Sequence, residues 1–163
     1  MTNQFELANR EYARTFEHTA LPAPPSKRLI VLTCMDARID PLRILGLSVG
    51  DAHILRNAGG RITDDVIRSL TVSQLYMETN TLAIMHHTQC GIVGQTNDGI
   101  RAKVAADWGK DASAIDFLPF PDLDESVRAD IALVKSHPLT PEGLTVLGYV
   151  YELETGRIRR VEG

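Results

Sequence analysis

The sequence predicts an α/β fold with a mostly parallel central β-sheet flanked by helices. Residues 29–32 form a short, continuous apolar run, and the largely apolar segments 52–55, 82–85 and 145–151 are also predicted to be short strands. Runs of this kind are typical of strands that are covered on both faces. Because segments with helical spacing lie between the strands, the pattern favours strand–helix alternation and hence a parallel sheet.

Two of the segments between strands have the spacing of amphipathic helices. The first follows the second strand and can be capped by Thr63, Asp64 or Asp65. The second spans residues 124–136 and is followed by Pro138. The apolar faces are predicted to comprise Val66, Ile67 and Leu70 in the first helix, and Val127, Ile131 and Val134 in the second. We expect the last strand to turn at residues 154–156.

The N-terminal segment differs from this alternating pattern. Residues 1–25 are predicted to form a helical arm, with a short helix over 5–19, and a proline-rich connector that cannot continue that helix. Because no second composition regime is present, residues 1–163 are expected to form a single domain.

Charge and composition exclude several classes of function. The formal net charge is -4, which argues against a nucleic-acid partner and gives no polybasic membrane anchor. The longest apolar run, at 29–32, is too short to span a bilayer, and the N-terminus lacks the apolar region of a signal peptide. The sequence thus predicts a soluble, cytoplasmic protein.

Two polar clusters follow predicted strands directly. Cys34-Met35-Asp36-Ala37-Arg38 comes after the first strand, and His86-His87-Thr88-Gln89-Cys90-Gly91 comes after the third. Open α/β sheets place their sites at the carboxyl ends of the strands, so the clusters meet if these strands are neighbours. Two thiolates and an imidazole, from Cys34, Cys90 and His87, are a ligand set that suits Zn²⁺.

The fourth position of such a site has two possible occupants. A water there would become acidic enough to supply a hydroxide nucleophile. Alternatively, Asp36 could ligate the metal, unless Arg38 holds the carboxylate away from it. The spacing permits both an open and a closed site.

Each of these residues also has an ordinary structural explanation. A lone cysteine at a strand end is usually a small buried hydrophobe, and an Asp and an Arg two positions apart often form a local ion pair. The coincidence of the only two cysteines with strand ends favours the metal site.

A third segment, at residues 56–60, has the sequence Arg-Asn-Ala-Gly-Gly. It could bind an anion at a helix N-terminus or form a tight turn with positive φ.

The three motifs, in this order, resemble the β-class carbonic anhydrases. They are Cys-x-Asp-x-Arg, Arg-Asn-Ala-Gly-Gly and His-x-x-Cys-Gly, and the resemblance is close from residue 28 to 91. The residues within the motifs and the short chain length are similar to those of the compact bacterial and archaeal subgroup. The resemblance implies a homodimer or higher homo-oligomer that hydrates CO₂ reversibly to bicarbonate and a proton by attack of zinc-bound hydroxide.

The resemblance also implies roles for individual residues. Cys34, His87 and Cys90 match the zinc ligands; Asp36 and Arg38 match the catalytic dyad, with Asp36 ligating zinc in a closed state; and Gly59, Gly60 and Gly91 match glycines that shape the cleft. His86 is expected to pack or hydrogen-bond nearby. Val31 stands where a bicarbonate-inhibited subgroup carries Trp, which puts that form of regulation in doubt.

Other functions remain open at this point. A carbonyl sulfide or carbon disulfide hydrolase uses the same zinc ligands, so the motifs do not separate it from a carbonic anhydrase. A structural zinc protein and a cysteine redox module are the remaining alternatives. The sequence leaves the proton shuttle unassigned, with His53, His18 and several carboxylates as candidates.

Overall fold

The computed structural model describes residues 2–163, with side chains from residue 3 onward. The strands within this range are β1 (Leu29–Cys34), β2 (Ala52–Asn57), β3 (Thr81–His87), β4 (Thr145–Glu152) and β5 (Arg157–Val161). The helices are α1 (Thr2–Arg14), α2 (Pro41–Leu45), α3 (Asp64–Met77), α4 (Asn97–Trp108) and α5 (Leu123–Ser136), and residues Ala58–Gly60 form a 3₁₀ turn.

The strands form one sheet in the order β2-β1-β3-β4-β5. β1 lies between β2 and β3 and is parallel to both, and β3 is parallel to β4. Only the edge strand β5 is antiparallel, because it follows β4 through a tight turn. The predicted mostly parallel α/β sheet is therefore confirmed, and all four predicted strands are present.

Both amphipathic helices are present where the sequence placed them. α3 begins after Thr63, whose side chain accepts a hydrogen bond from the Val66 amide at 3.3 Å. The predicted apolar faces of α3 and α5 are buried against the sheet, together with Ile30, Leu32, Leu82 and Ile84 from the strands. This packing makes the core on one side of the sheet.

Three helices differ from the prediction. α1 ends at Arg14, earlier than the predicted 19. α2 is only five residues long, although Asp40 caps it, Pro41 opens it and Gly46 ends it in the left-handed conformation. α4 was not predicted and has no buried residue, although Ile100, Val104 and Trp108 recur at helical spacing.

A second apolar cluster lies at one end of the sheet. Cys34, Ile39, Met85, Cys90 and Phe120 form its buried part. This cluster lies at the carboxyl ends of β1 and β3, where the two polar motifs leave the sheet. Across residues 2–163, none of the helices combines the length and the apolar character required to span a membrane.

Candidate metal centre

The sheet brings Cys34, His87 and Cys90 to one point. Cys34 ends β1 and His87 ends β3, and these strands are parallel neighbours in register, with Thr33 opposite Met85. Cys90 follows in the turn after β3. One ligand atom from each of the three residues lies within 4.8 Å of the other two, and all three residues are buried.

The alternation of side chains along β3 separates the two adjacent histidines. Successive side chains on a strand point to opposite faces. His86 accordingly lies on the α5 side, where its Nδ1 is 3.1 Å from Ser126 Oγ. His87 points to the other face at the end of the strand, and it is His87, not His86, that comes close to the two cysteines.

The imidazole of His87 is oriented for ligation. Its Nδ1 lies 2.8 Å from the Thr88 carbonyl oxygen, which can only accept, so Nδ1 carries the proton. Nε2 is then the atom with a lone pair. It is buried and has no hydrogen-bond partner among the described residues. In metal-ligating histidines, a carbonyl commonly accepts from one ring nitrogen and so leaves the lone pair of the other for the metal.

The donor atoms fit zinc. The two Sγ atoms are 4.0 Å apart. Two Zn–S bonds of about 2.3 Å at a tetrahedral angle place sulfurs roughly 3.8 Å apart, whereas a disulfide requires about 2.05 Å. Both cysteines are free thiols. Together with the orphaned Nε2, this spacing supplies three of the four tetrahedral positions.

The thiols have opposite pKa shifts. The Cys90 thiol hydrogen-bonds to Cys34 and lowers the pKa of Cys34, against the effect of burial, and His87 lowers it further. The same interaction and burial raise the pKa of Cys90. Cys34 is therefore the thiol that ionises first. A cysteine must be ionised in order to bind a metal.

Arg38 binds Asp36 beside this cluster. Arg38 Nε donates to Asp36 Oδ1 at 2.9 Å and Nη2 donates to Oδ2 at 2.6 Å, while the Arg38 backbone amide also donates to Oδ1. These hydrogen bonds are the main reason why the pKa of Asp36 lies far below its usual range. Asp36 Oδ2 is 3.9 Å from His87 Nε2, so the carboxylate borders the metal position without occupying it.

A second arginine fixes the backbone of this motif. Arg56, near the end of β2, donates from Nε to the Cys34 carbonyl at 3.0 Å and from Nη2 to the Asp36 carbonyl at 2.6 Å. The motifs assigned Arg56 no role beyond membership of the glycine-containing segment. Its function is visible only when β2 is placed beside β1.

The Arg-Asn-Ala-Gly-Gly segment adopts the tight turn that was one of its two interpretations. Gly59 and Gly60 have φ of 79° and 70°. A Cβ on Gly60 would lie 2.9 Å from the Thr33 carbonyl carbon, so this glycine permits the turn to pack on β1. By contrast, a Cβ on Gly91 would meet no heavy atom within 4 Å in the described part of the chain.

These residues surround a cavity of about 250 Å³. Its lining combines the two cysteines and Asp36 with Met35, Ala58, Gly59, Gly91 and Ile92. The wall is therefore apolar apart from the ligands and one carboxylate. A space of this size suits a molecule of a few atoms.

A buried ionic network behind the site is absent from the sequence prediction. Arg61 donates to both oxygens of Asp130, at 2.8 and 3.1 Å, and Asp130 is 2% exposed. His86 Nε2 lies 3.2 Å from Asp130 Oδ2 and 3.2 Å from the Gly60 carbonyl oxygen. The network joins α5 to the turn that packs against Cys34.

Neither histidine considered as a proton shuttle reaches the cluster. His53 lies near the start of β2, four residues before the strand ends, and its Nδ1 is 2.7 Å from Ser73 Oγ. His18 is exposed in the connector after α1. His53 therefore lies at the end of β2 that is remote from the carboxyl end of the sheet.

Comparison with known families matches residues 29–115 of this chain to a family model described as carbonic anhydrase. Beta-carbonic anhydrase 1 of Mycobacterium tuberculosis is 36% identical over 163 residues, which cover 99% of this chain and 98% of that protein. A carbon disulfide hydrolase of Saccharolobus solfataricus is also 36% identical, but over 84% of this chain and 78% of its own length.

Among solved structures, the crystal structure of a carbonic anhydrase from Streptococcus mutans is very similar to this fold. It superimposes with a TM-score of 0.95, covers 99% of this chain and 97% of its own, and has 46% sequence identity. The match extends over the sheet, the flanking helices and the segments that carry the three motifs.

Proposed function

This chain belongs to the β-carbonic anhydrase family, and we propose that its Cys34–His87–Cys90 cluster is the zinc site at which it hydrates CO₂. The enzyme is a carbonic anhydrase: it converts CO₂ and water reversibly to bicarbonate and a proton. The observation that carries the assignment of the site is the buried His87 Nε2, which lacks a hydrogen-bond partner among residues 2–163 and faces two thiols.

Zinc held by these three residues would act as a Lewis acid that lowers the pKa of a bound water and so supplies a nucleophile at neutral pH. The protein holds the ligand atoms in place before the metal arrives. Thr88 fixes the ring of His87, and Arg56 fixes the backbone of Cys34. Preorganised ligands of this kind bind metal with little loss of conformational entropy.

Asp36 and Arg38 are proposed as the catalytic dyad. Asp36 Oδ1 is occupied by the backbone and Nε of Arg38, whereas Oδ2 accepts one hydrogen bond from Nη2 and borders the cavity. A carboxylate oxygen has a second lone pair, with which Oδ2 can accept a hydrogen bond from the attacking oxygen. Asp36 would thereby direct the nucleophile toward the carbon of CO₂.

The walls of the cavity determine what enters. Met35, Ala58 and Ile92 give the entrance an apolar lining, and CO₂ is a small linear molecule without a hydrogen-bond donor. Gly59 and Gly91 complete the lining without adding bulk. We propose that these glycines keep the approach to the ligands open.

Carbon disulfide hydrolysis is the second candidate, because a relative with that name is as similar in sequence as the β-carbonic anhydrase. Carbon disulfide is a linear, electrophilic substrate like CO₂. The full-length match to β-carbonic anhydrase 1, against 84% coverage by the carbon disulfide hydrolase, favours CO₂.

We further propose that the chain forms a homodimer through its N-terminal arm. Every residue of α1 that the structure describes from residue 3 onward is exposed, including Phe5, which is 72% exposed, as well as Leu7 and Tyr12. An isolated helix of this length is marginal in water, so it needs a surface to pack on. A second copy of the chain supplies one. Analytical ultracentrifugation tests whether the chain is a dimer, and a monomer at micromolar concentration would contradict this proposal.

The cytoplasmic location remains a prediction.

Loss and restoration of activity with the metal test the proposed site. Protein stripped with a chelator should lose CO₂ hydration and regain it on adding one equivalent of zinc per chain. A Cys90→Ser variant should neither retain zinc nor recover activity. The exposed Ser136→Ala variant, at the end of α5, is a control that should behave as wild type. Full activity in verified metal-free protein would contradict the proposal.

A further inference from the structure

A chain of hydrogen bonds connects the turn after β4 with the Arg38 guanidinium. Glu154 Oε1 accepts a hydrogen bond from Gln89 Nε2 at 2.7 Å. Gln89 Oε1 in turn accepts one from Arg38 Nη1 at 3.3 Å. Glu154 and Gln89 are 65 positions apart in the sequence, so the sheet alone brings them together. Arg38 therefore contacts Asp36 on one side and Gln89 on the other.

The carboxylate of Glu154 determines which way the Gln89 amide faces. An ionised carboxylate can only accept, so the amide must present its NH₂ group to Glu154. The carbonyl oxygen of the amide then faces Arg38, which can only donate. Without the Glu154 carboxylate, the amide would be free to rotate, and its NH₂ group would not bind the guanidinium.

Glu154 is itself held in place by the end of β3. Thr88 Oγ1 donates to Glu154 Oε2 at 2.7 Å and accepts from the Leu153 amide at 3.0 Å. The hydrogen bond from Thr88 is the largest of the effects that lower the pKa of Glu154, so the carboxylate is ionised at neutral pH. These hydrogen bonds join the turn between β4 and β5 to the loop after β3, which carries Cys90.

The backbone of Gln89 adds a second contact to the same guanidinium. Gln89 has φ of 56°, in the left-handed region, and its carbonyl oxygen accepts from Arg38 Nη2 at 3.2 Å. Arg38 Nη2 also donates to Asp36 Oδ2. Gln89 therefore provides two acceptors that hold the guanidinium plane where it meets the Asp36 carboxylate edge-on.

The position of Arg38 matters because Asp36 lies so close to the metal position. Asp36 Oδ2 is 3.9 Å from His87 Nε2, and a rotation of the side chain away from Arg38 would bring a carboxylate oxygen among the ligand atoms. We propose that Glu154, acting through Gln89, is a positioning residue that keeps Arg38 on Asp36 and so keeps the fourth position at the metal available. The inference rests on the proposed function, since it assumes a metal bound by Cys34, His87 and Cys90.

The test uses the full chain with Co²⁺ in place of zinc, because visible absorption of cobalt reports its ligands. Azide, a small anion that needs a vacant metal position, is titrated at fixed neutral pH. Glu154→Ala and Gln89→Met should each weaken azide binding about fivefold, the shift expected from losing one net hydrogen bond. Glu142→Gln, at an exposed loop position before β4, should leave it unchanged.

An Asp36→Ala background separates positioning from a general structural effect. If Glu154 acts through Asp36, the Glu154→Ala substitution should not alter azide affinity once Asp36 is absent. Equal azide affinity in wild type and both single variants would overturn the inference, as would an effect that persists without Asp36. Thermal unfolding identifies a variant that fails to fold, in which case Gln89→Met alone decides. Failure of CO₂ hydration in the zinc enzyme would instead count against the proposed function.

Discussion

Arg38 donates two parallel hydrogen bonds to Asp36, from Nε and Nη2, while Asp36 Oδ2 lies 3.9 Å from the buried Nε2 of His87. The aspartate is thus close enough to the metal position to act there, yet it is bound by another partner. Fork-like pairs of this kind have greater geometric specificity than single hydrogen bonds. The arrangement makes Arg38 the residue on which the open site depends.

Substitution of Arg38 should therefore reduce activity without removing the metal. In Arg38→Ala, Asp36 loses its partner and no longer holds the orientation that the reaction needs, so kcat/KM for CO₂ should fall about 100-fold. Arg38→Lys should restore little, because an ammonium group cannot make two parallel hydrogen bonds. Stopped-flow hydration and zinc analysis check both points. Activity near wild type in Arg38→Ala would contradict the role assigned to the pair.

The two glycines at the site should differ in how much stability is lost when each is replaced by alanine. Gly60→Ala combines a φ of 70° with a Cβ 2.9 Å from the Thr33 carbonyl carbon, so it should lower the free energy of unfolding by about 2–4 kcal/mol. Gly91→Ala is the matched control, since the added Cβ meets no heavy atom within 4 Å among residues 2–163. Chemical denaturation measures both, and equal stabilities would show that Gly60 is not required by packing.

Breaking the buried ion pair behind the site should lower the stability of the fold. Arg61→Met leaves the carboxylate of Asp130 buried without its bidentate partner, and we expect a loss of about 3–5 kcal/mol in the free energy of unfolding. The exposed pair Arg68–Asp65 is the control, and Arg68→Met should change stability by less than about 1 kcal/mol. If both substitutions had the same small effect, the network would not be a stabilising element.

The two thiols should differ in their reactivity in metal-free protein. The pKa of Cys34 is lowered to about 4, so this thiol stays ionised as the pH falls from about 8 to about 6. The pKa of Cys90 is raised, so its thiolate fraction should increase about tenfold per pH unit. Alkylation by iodoacetamide, followed by peptide mass spectrometry, should give a flat pH profile for Cys34 and a rising one for Cys90. Parallel rises would contradict the assignment.

The sequence predicted those parts of the fold that depend on local pattern. The four predicted strands are present, and the spacing of Val66, Ile67 and Leu70 identified the buried face of α3. α4 was missed because its apolar stripe is sparse: Ile100, Val104 and Trp108 stand four apart among polar and small residues, and none of them is buried.

The contacts around the site were less accessible to sequence reasoning. The two ligand motifs could be joined because both follow strands that were expected to be neighbours. Arg61 and Asp130 are 69 residues apart, and neither belongs to a motif, so their pairing depends on how α5 packs on the sheet. The contact of Gln89 with Glu154 likewise depends on the turn after β4.

The most direct test of the account is stopped-flow CO₂ hydration by protein verified to hold one zinc per chain, with carbon disulfide turnover measured on the same sample. We expect zinc-dependent CO₂ hydration far above the uncatalysed rate and much slower turnover of carbon disulfide. Protein that is fully loaded with zinc, consumes carbon disulfide and leaves CO₂ hydration at the uncatalysed rate would contradict the central claim.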